Sequence, residues 1–289
     1  MILESEIRSV VVIGAGTMGH GIAQVAAMAG MRVVLTDRVA GAVERGMSRI
    51  RENLDSGVEK GKVDASLRDA TLGRVTGGTD FLIAVASADL VIEAVPERMD
   101  LKCVLFQQLD QSAPDRTILA TNTSSLSVTE IAGVTCRPDR VIGMHFFNPP
   151  HILKLLELVR GDATSSQTMA LARTVGELMG KTVIEVKDFP GFATSRLGIA
   201  LGNEAMRMVE QGVASPEDID TAMELGYRHP MGPLRLSDHV GLDVRLKITE
   251  YLYRELGGEQ FRPPLILKRK VAAGKLGVKS GEGFYVYPN

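Results

Sequence analysis

Short apolar runs bounded by glycine or charge alternate with amphipathic stretches through the first two thirds of the chain. Arg8–Ile13 reads RSVVVI, a β-branched run that stops at Gly14, and an amphipathic stretch covers Thr17–Met28. Met31–Thr36 is strand-like again and is followed by Asp37, after which helical periodicity dominates Ala40–Lys60. Asp89–Ile92 (DLVI) and Arg116–Ala120 (RTILA) have the length of buried strands, with helix-forming residues at Arg98–Gln111 between them. Arg140–Gly143 and Leu155–Val159 are further strand candidates; Ser166–Met179 reads as a helix and Thr182–Val186 as a last strand. This alternation predicts a doubly wound α/β domain, a parallel sheet covered by helices on both faces.

The pattern changes after Lys187 and Asp188. Leu197–Glu210, Pro216–Leu225, Val240–Leu256 and Pro264–Ala273 all read as helices. Ser215 followed by Pro216, Glu217 and Asp218 is a strong helix start: a capping hydroxyl, a proline in the first turn, then acids at the positive end of the dipole. The expected organisation is a Rossmann-type domain over residues 1–187 and an all-helical domain over 188–289, with the active site in the cleft between them. The apolar excess in Arg196–Val209 suits a buried core helix or a dimer seam.

With 289 residues, 45% of them hydrophobic and 24% charged, the chain can bury a substantial core. A net charge of −2 gives no electrostatic footprint for nucleic acid or an anionic membrane. The first ten residues, MILESEIRSV, hold two glutamates and no apolar signal core, and no apolar run approaches the ~20 residues needed to cross a bilayer. Cys103 and Cys136 are far apart in sequence and read as free, buried thiols, which suits a reducing, cytoplasmic setting. Nothing has metal-ligand spacing.

Gly14-Ala15-Gly16-Thr17-Met18-Gly19 is GxGxxG, placed between a strand and a helix. There Gly14 permits a tight turn, Gly16 lets backbone approach a pyrophosphate, and Gly19 lets the helix pack on its strand. The helix start offers free N–H donors to the phosphates. Asp37, at the end of the second strand, suits both ribose hydroxyls and repels a 2′-phosphate, so NAD is favoured over NADP; Arg38 tempers that choice.

Three more stretches stand out: TNTSSL at Thr121–Leu126, HFFNPP at His145–Pro150 and KLLELV at Lys154–Val159. The first two follow predicted strands and should sit at the carboxyl edge of the sheet, and strand alternation can point Glu157 the same way. Together with GAGTMGHGIA (Gly14–Ala23), EAVPE (Glu93–Glu97), DFPGF (Asp188–Phe192), HPMGPLRLSD (His229–Asp238) and KSGEGFY (Lys279–Tyr285), these stretches resemble the 3-hydroxyacyl-CoA dehydrogenase family over nearly the whole chain, including its bacterial 3-hydroxybutyryl-CoA dehydrogenases.

The resemblance implies NAD-dependent oxidation of a 3-hydroxyacyl thioester. It makes His145 the catalytic base, Glu157 the carboxylate that orients its imidazole, and Ser124 the hydroxyl on the substrate oxygen. In such chemistry a histidine titrates near the working pH, and a placed donor steadies the alkoxide-like charge. It further implies cofactor contacts at Asp37, Glu97, Lys102, Ser124, Asn148 and Lys279, coenzyme A contacts at Asn53 and Lys60 with Lys62 nearby, and a homodimer through the C-terminal domain. One position departs. The family's PGFxxNR segment is PGFATSR here, so Ser195 stands where an asparagine is usual. A hydroxyl is shorter than an amide and bonds differently, so the substrate oxygen is expected to be held in another way, with Asn203, two turns on, as a candidate substitute. His20, His151, His229 and His239 are read as packing or local hydrogen-bonding residues. Two rivals stay open: an NAD enzyme of the same scaffold acting on a small hydroxy acid or sugar acid, and a non-catalytic NAD-binding relative.

Overall fold

The computed structural model describes residues 7–288, so the reading of the first ten residues falls largely outside it. The chain divides into two compact units, Met1–Phe189 and Pro190–Asn289. In the first unit the elements run β1 (Ser9–Ile13), α1 (Gly19–Met28), β2 (Arg32–Thr36), α2 (Ala40–Glu59), α3 (Ala65–Leu72), β3 (Val75–Gly78), α4 (Phe81–Val85), β4 (Leu90–Glu93) and α5 (Met99–Ser112). They continue through β5 (Ile118–Thr121), α6 (Val128–Ala132), β6 (Val141–Phe146), β7 (Leu155–Arg160), α7 (Ser166–Leu178) and β8 (Thr182–Lys187).

The strands form one sheet in the order β3-β2-β1-β4-β5-β6-β7-β8. From β1 the chain winds outward in one direction to β3, then restarts beside β1 with β4 and winds the other way. Strands β4, β5 and β6 are buried along their whole length, as strands covered on both faces must be. Val10, Val12, Ile92, Ile118 and Ile142 join Ile22, Ala26 and Leu54 of the covering helices in one core.

The sheet is not wholly parallel. β6 and β7 pair antiparallel, with His145 opposite Glu157. The physical reason is the connection, residues 147–154, which is too short for a parallel crossover of about a dozen residues or more. Strand β3 escaped the pattern because it reads VTGG. Its glycine is required by packing: a Cβ on Gly77 would stand 2.6 Å from Val43 of α2. The short helices α3 and α4 carry too few turns for a clear period; α4 is nonetheless capped by Asp80, which accepts from the amides of Leu82 and Ile83.

The second unit holds α8 (Thr194–Glu210), α9 (Pro216–Gly226), α10 (Pro233–Val240), α11 (Leu242–Leu256) and α12 (Leu265–Ala272). Ser215 caps α9 through the Asp218 amide, with Pro216 in the first turn, as the sequence predicts. The stretch read as a helix from Val240 to Leu256 is α11, which starts two residues later because Gly241 has φ +98, outside the helical region; the short α10 before it is not among the helices read from the sequence. Ala205, Met206, Ile219, Leu234, Leu242 and Leu267 form this unit's larger core cluster. Helix α8 buries Ile199, Gly202, Ala205 and Met206, while Leu197 remains 72% exposed.

Both cysteines are free, but neither is buried: Cys136 is exposed and Cys103 half-buried. Cys103 lies beside, not on, the inward stripe of α5 formed by Lys102, Leu105, Phe106 and Leu109. Among the described residues no helix is long and apolar enough to cross a membrane.

Candidate active site

The loops after β1 and β4 meet where the winding reverses, the place at which open α/β sheets bind ligands. Gly14 has φ +103, and a Cβ there would lie 2.5 Å from the Ala94 carbonyl oxygen, so only glycine lets the two loops touch. A Cβ on Gly19 would stand 1.6 Å from the Gly14 carbonyl oxygen, whereas Gly16 faces open space. Asp37, just past β2, braces this turn: one carboxylate oxygen accepts from the Ala15 amide and the other from the Val39 amide, each at 3.0 Å.

A cavity of about 640 Å³ opens over the turn, lined by Gly14, Gly16, Thr17, Met18, Asp37 and Val95 among others. Its volume, the exposed Gly16 backbone and the acid at the second strand fit a dinucleotide. Arg38 lines the same cavity.

His145 lies inside β6, one residue before its end, and not in the loop after it. Its partner in the ladder is Glu157 of β7, and the side chains of such a pair share one face of the sheet. Nδ1 of His145 is 2.7 Å from Oε2 of Glu157. Both side chains are buried. An ionised carboxylate can only accept, so Nδ1 carries the proton and Nε2 keeps the lone pair, the tautomer a general base needs. Asn122 steadies the end of β6 by accepting the Phe146 amide at 2.8 Å. Asn148 follows on the surface, two residues after β6.

Ser124 lies in the turn after β5, and this turn is gathered around Glu97. One Glu97 oxygen accepts the Thr123 hydroxyl at 2.6 Å, the Ser124 amide at 2.9 Å, the Ser124 hydroxyl at 3.2 Å and the Ser125 amide at 3.2 Å. Burial disfavours the Glu97 carboxylate, but the Lys102 ammonium and the donors from Thr123 and Ser124 outweigh it and hold the carboxyl below its ordinary range. Lys102 itself is only 1% exposed and reaches this region from within. Its chief partner is Glu93, a residue to which the sequence reading gave no role, although it opens the same EAVPE stretch as Glu97. The available signal was an acid closing the apolar run Leu90–Ile92.

At the coenzyme A positions, Asn53 lies on α2 and donates to Gln24 of α1 at 3.1 Å, while Lys60 ends the helix and Lys62 follows, both exposed. In the helical unit Ser195 occupies the first turn of α8. Asn203 is not available as its substitute. It is fully buried, donates to the Gln260 carbonyl at 3.0 Å and accepts the Thr249 hydroxyl at 3.4 Å. Lys279 pairs with Asp243 at 2.5 Å.

Two of the remaining histidines make local contacts. His20 bonds the Gly16 carbonyl at 2.7 Å, and His239 packs edge-on against Tyr287. Burial, with His20 and Lys181 nearby, pushes His151 below the ordinary imidazole range. Among the described residues no group of three or more His, Cys, Asp or Glu side chains could hold a metal.

Residues 9–189 match the 3-hydroxyacyl-CoA dehydrogenase NAD binding domain, and residues 191–287 match the same family's C-terminal domain. A probable 3-hydroxybutyryl-CoA dehydrogenase of Bacillus subtilis is 48% identical over 98% of each chain, and a 3-hydroxybutyryl-CoA dehydrogenase of Clostridioides difficile is 44% identical over 96% of this chain and 98% of its own. The crystal structure of the (S)-3-hydroxybutyryl-CoA dehydrogenase of Ralstonia eutropha is similar with a TM-score of 0.94 and 43% identity, covering 98% of this chain and all of that one. A doubly wound sheet with a glycine turn at its reversal point, a helical second unit and these full-length matches lead to one conclusion: the chain belongs to the 3-hydroxyacyl-CoA dehydrogenase family.

Proposed function

We propose that the chain catalyses the NAD-dependent oxidation of (3S)-3-hydroxyacyl-CoA to 3-ketoacyl-CoA, and its reverse, with short-chain substrates such as 3-hydroxybutyryl-CoA favoured. The observation that carries this reading is the buried His145–Glu157 pair, set directly opposite each other in the sheet. In the oxidative direction Nε2 of His145 takes the proton of the 3-hydroxyl. Glu157 keeps Nδ1 protonated and stabilises the imidazolium that forms. The Ser124 hydroxyl turns its one proton from Glu97 to the substrate oxygen and steadies the charge growing there, while Glu97 keeps the turn in place through the Ser124 and Ser125 amides.

Gly14, Gly16, Thr17, Met18 and Gly19 offer backbone to the cofactor's phosphates and Asp37 takes its ribose hydroxyls, while Glu97, Lys102, Ser124, Asn148 and Lys279 complete the cofactor side of the proposal. When bound, NAD supplies the hydride acceptor. Asn53 and Lys60, with Lys62, are the proposed coenzyme A contacts, the lysines supplying positive charge for its phosphates in a chain of net negative charge. Ser195 is the proposed second polar partner of the substrate oxygen, and the commitment of Asn203 elsewhere leaves that task to the shorter side chain. A homodimer through the helical unit and a cytoplasmic setting belong to the same proposal, supported by the family resemblance, by exposed Leu197 on α8 and by two free thiols.

Acetoacetyl-CoA with NADH, followed by the loss of reduced-nicotinamide absorbance, tests the reading. Turnover by the wild type and its loss in His145→Ala are expected. No turnover by the wild type, or full activity in His145→Ala, refutes it. A preference for free hydroxy acids over thioesters would transfer the assignment to the small-acid reading.

A further inference from the structure

The carboxyl end of β4 holds an ion pair of which one member, Lys102, is already placed on the cofactor side and the other, Glu93, has no role in the chemistry above. Glu93 is fully buried, and Lys102 of α5 donates to both of its carboxylate oxygens, at 2.6 and 2.8 Å. A pair this deep contributes little net stability, because desolvation of both charges offsets their attraction. What distinguishes it is where its other bonds lead. One Glu93 oxygen accepts the Val95 amide at 2.7 Å, and Val95 lines the cavity over the glycine turn. The other accepts the Thr121 hydroxyl at 2.6 Å, at the root of the segment that carries Ser124. Lys102 also lies 3.4 Å from the Glu97 oxygen that does not hold the Ser124 turn. Glu93, Lys102 and Glu97 therefore form an unbroken charged chain from the sheet interior to Ser124.

We propose that Glu93 is a positioning residue: through Lys102 and Glu97 it fixes residues 122–126, and so sets the Ser124 hydroxyl at the distance and angle that the reaction requires. Lys102 is the strut of this device. Its ammonium is held by one acid from within and holds a second acid toward the surface. Glu97 in turn has its carboxylate kept ionised by that ammonium and by the donors of Thr123 and Ser124, against the opposing effect of burial. Without the ammonium the burial effect meets less opposition, and the carboxyl rises from where the wild type holds it. As pH then falls, the Glu97 acceptor is lost at a higher pH than in the wild type, and the turn that it organises loosens.

The inference rests on the proposed dehydrogenase reading, and the wild-type turnover assay tests that reading separately. The test of the strut is the double variant Glu93→Gln/Lys102→Met, which removes the buried pair together, so that neither of its members is left as an unpaired ion, and deprives Glu97 of its cation. The expected result is a melting temperature near that of the wild type, with kcat for acetoacetyl-CoA reduction lowered by about tenfold to a hundredfold, the scale of a sub-ångström to one-ångström misplacement. The acid limb of the kcat profile should move to higher pH. Hydrogen exchange at the Ser124 and Ser125 amides, both held by Glu97, reads the strut without turnover and should accelerate by about tenfold for ~1.4 kcal/mol of lost protection. Glu97→Gln, at a side chain 37% exposed, should reproduce the fall in kcat but show no shifted acid limb, because the titrating group is gone. Wild-type kcat and wild-type amide exchange in the double variant would overturn the proposal. So would a fall in kcat that accompanies a collapsed melting temperature with no movement of the acid limb, since that is the signature of a purely structural pair.

Discussion

The Glu157→Gln substitution isolates what the carboxylate does for the imidazole. The two groups are 2.7 Å apart at their nearest atoms and both are buried, so solvent screens them little. With charge centres roughly 4 Å apart and an effective dielectric near 20, a carboxylate favours the imidazolium by about 4 kcal/mol. A glutamine oxygen in the same place still accepts from Nδ1 and recovers about 1 kcal/mol as a neutral hydrogen bond. About 3 kcal/mol is therefore lost from any transition state in which His145 gains positive charge, or roughly a hundredfold in kcat. If the amide turns its nitrogen to the ring, Nδ1 must accept, Nε2 carries the proton, and the loss in the oxidative direction grows. The assay is steady-state oxidation of 3-hydroxybutyryl-CoA with NAD, alongside NADH affinity from fluorescence titration and a thermal melt. Affinity should hold, because Glu157 is not among the residues lining the cavity over the glycine turn. Stability should hold too, because a buried charge is being replaced by a neutral isostere. A Glu157→Gln enzyme that oxidises its substrate within threefold of the wild type would show that the pair is structural, and the proposed base would lose its main support.

Other outcomes follow from equally local facts. Gly19→Ala places a Cβ 1.6 Å from the Gly14 carbonyl oxygen, which cannot be relieved by a side-chain rotation; NADH affinity measured by fluorescence should fall by at least about tenfold as α1 is pushed from the turn. Asp37→Ala removes the acceptor of the Ala15 and Val39 amides and the repulsion of a 2′-phosphate, so the ratio of kcat/KM for NADPH over NADH should rise while NADH use falls. Arg245 is buried in the helical unit with its Nε unpaired and one Nη bonded to the Gly198 carbonyl, and burial lowers its pKa to about 10. The folded pKa lies below the unfolded one, so the cost of burying this charge is present in full below about pH 10 and is relieved only as pH rises above that. Arg245→Met should consequently raise stability at neutral pH by up to about 3 kcal/mol in urea unfolding; a destabilised variant would reveal a counter-charge for the guanidinium.

Much of the fold is visible in sequence because its strands are short, β-branched and fully buried, and its helices begin with capping hydroxyls such as Ser165 and Ser215. What escaped had weak local signals with strong tertiary reasons. VTGG becomes a strand because it pairs alongside β2, and its Gly77 leaves room for Val43 of α2. The eight-residue α10, between Gly232 and Gly241, is too short to show a clear period. The antiparallel turn-back of β7 depends on connection length, not on composition. The candidate site was legible where residue types announce chemistry, as at His145, Glu157, Ser124 and Asp37. Glu93 was not, because an acid at a strand end reads as a surface residue until the lysine that neutralises it is found nine positions later, on the inward stripe of a helix.

The ladder partnership of residues 145 and 157 also has a consequence for how this protein can vary. Their spacing is fixed by main-chain hydrogen bonds between two neighbouring strands, so the far part of the segment joining them, beyond Phe147 and Asn148, takes no part in holding base and acid together. That segment can lengthen, shorten or change its surface chemistry and reshape what docks against it, while the proton-handling unit stays unaltered. A shift of the strands by one position, by contrast, would send one of the two side chains to the opposite face and disable the unit outright. Laboratory diversification aimed at new acyl groups therefore has a safer region at the exposed residues 152–154, beyond Phe147 and Asn148, and a forbidden one in the strands that flank the loop.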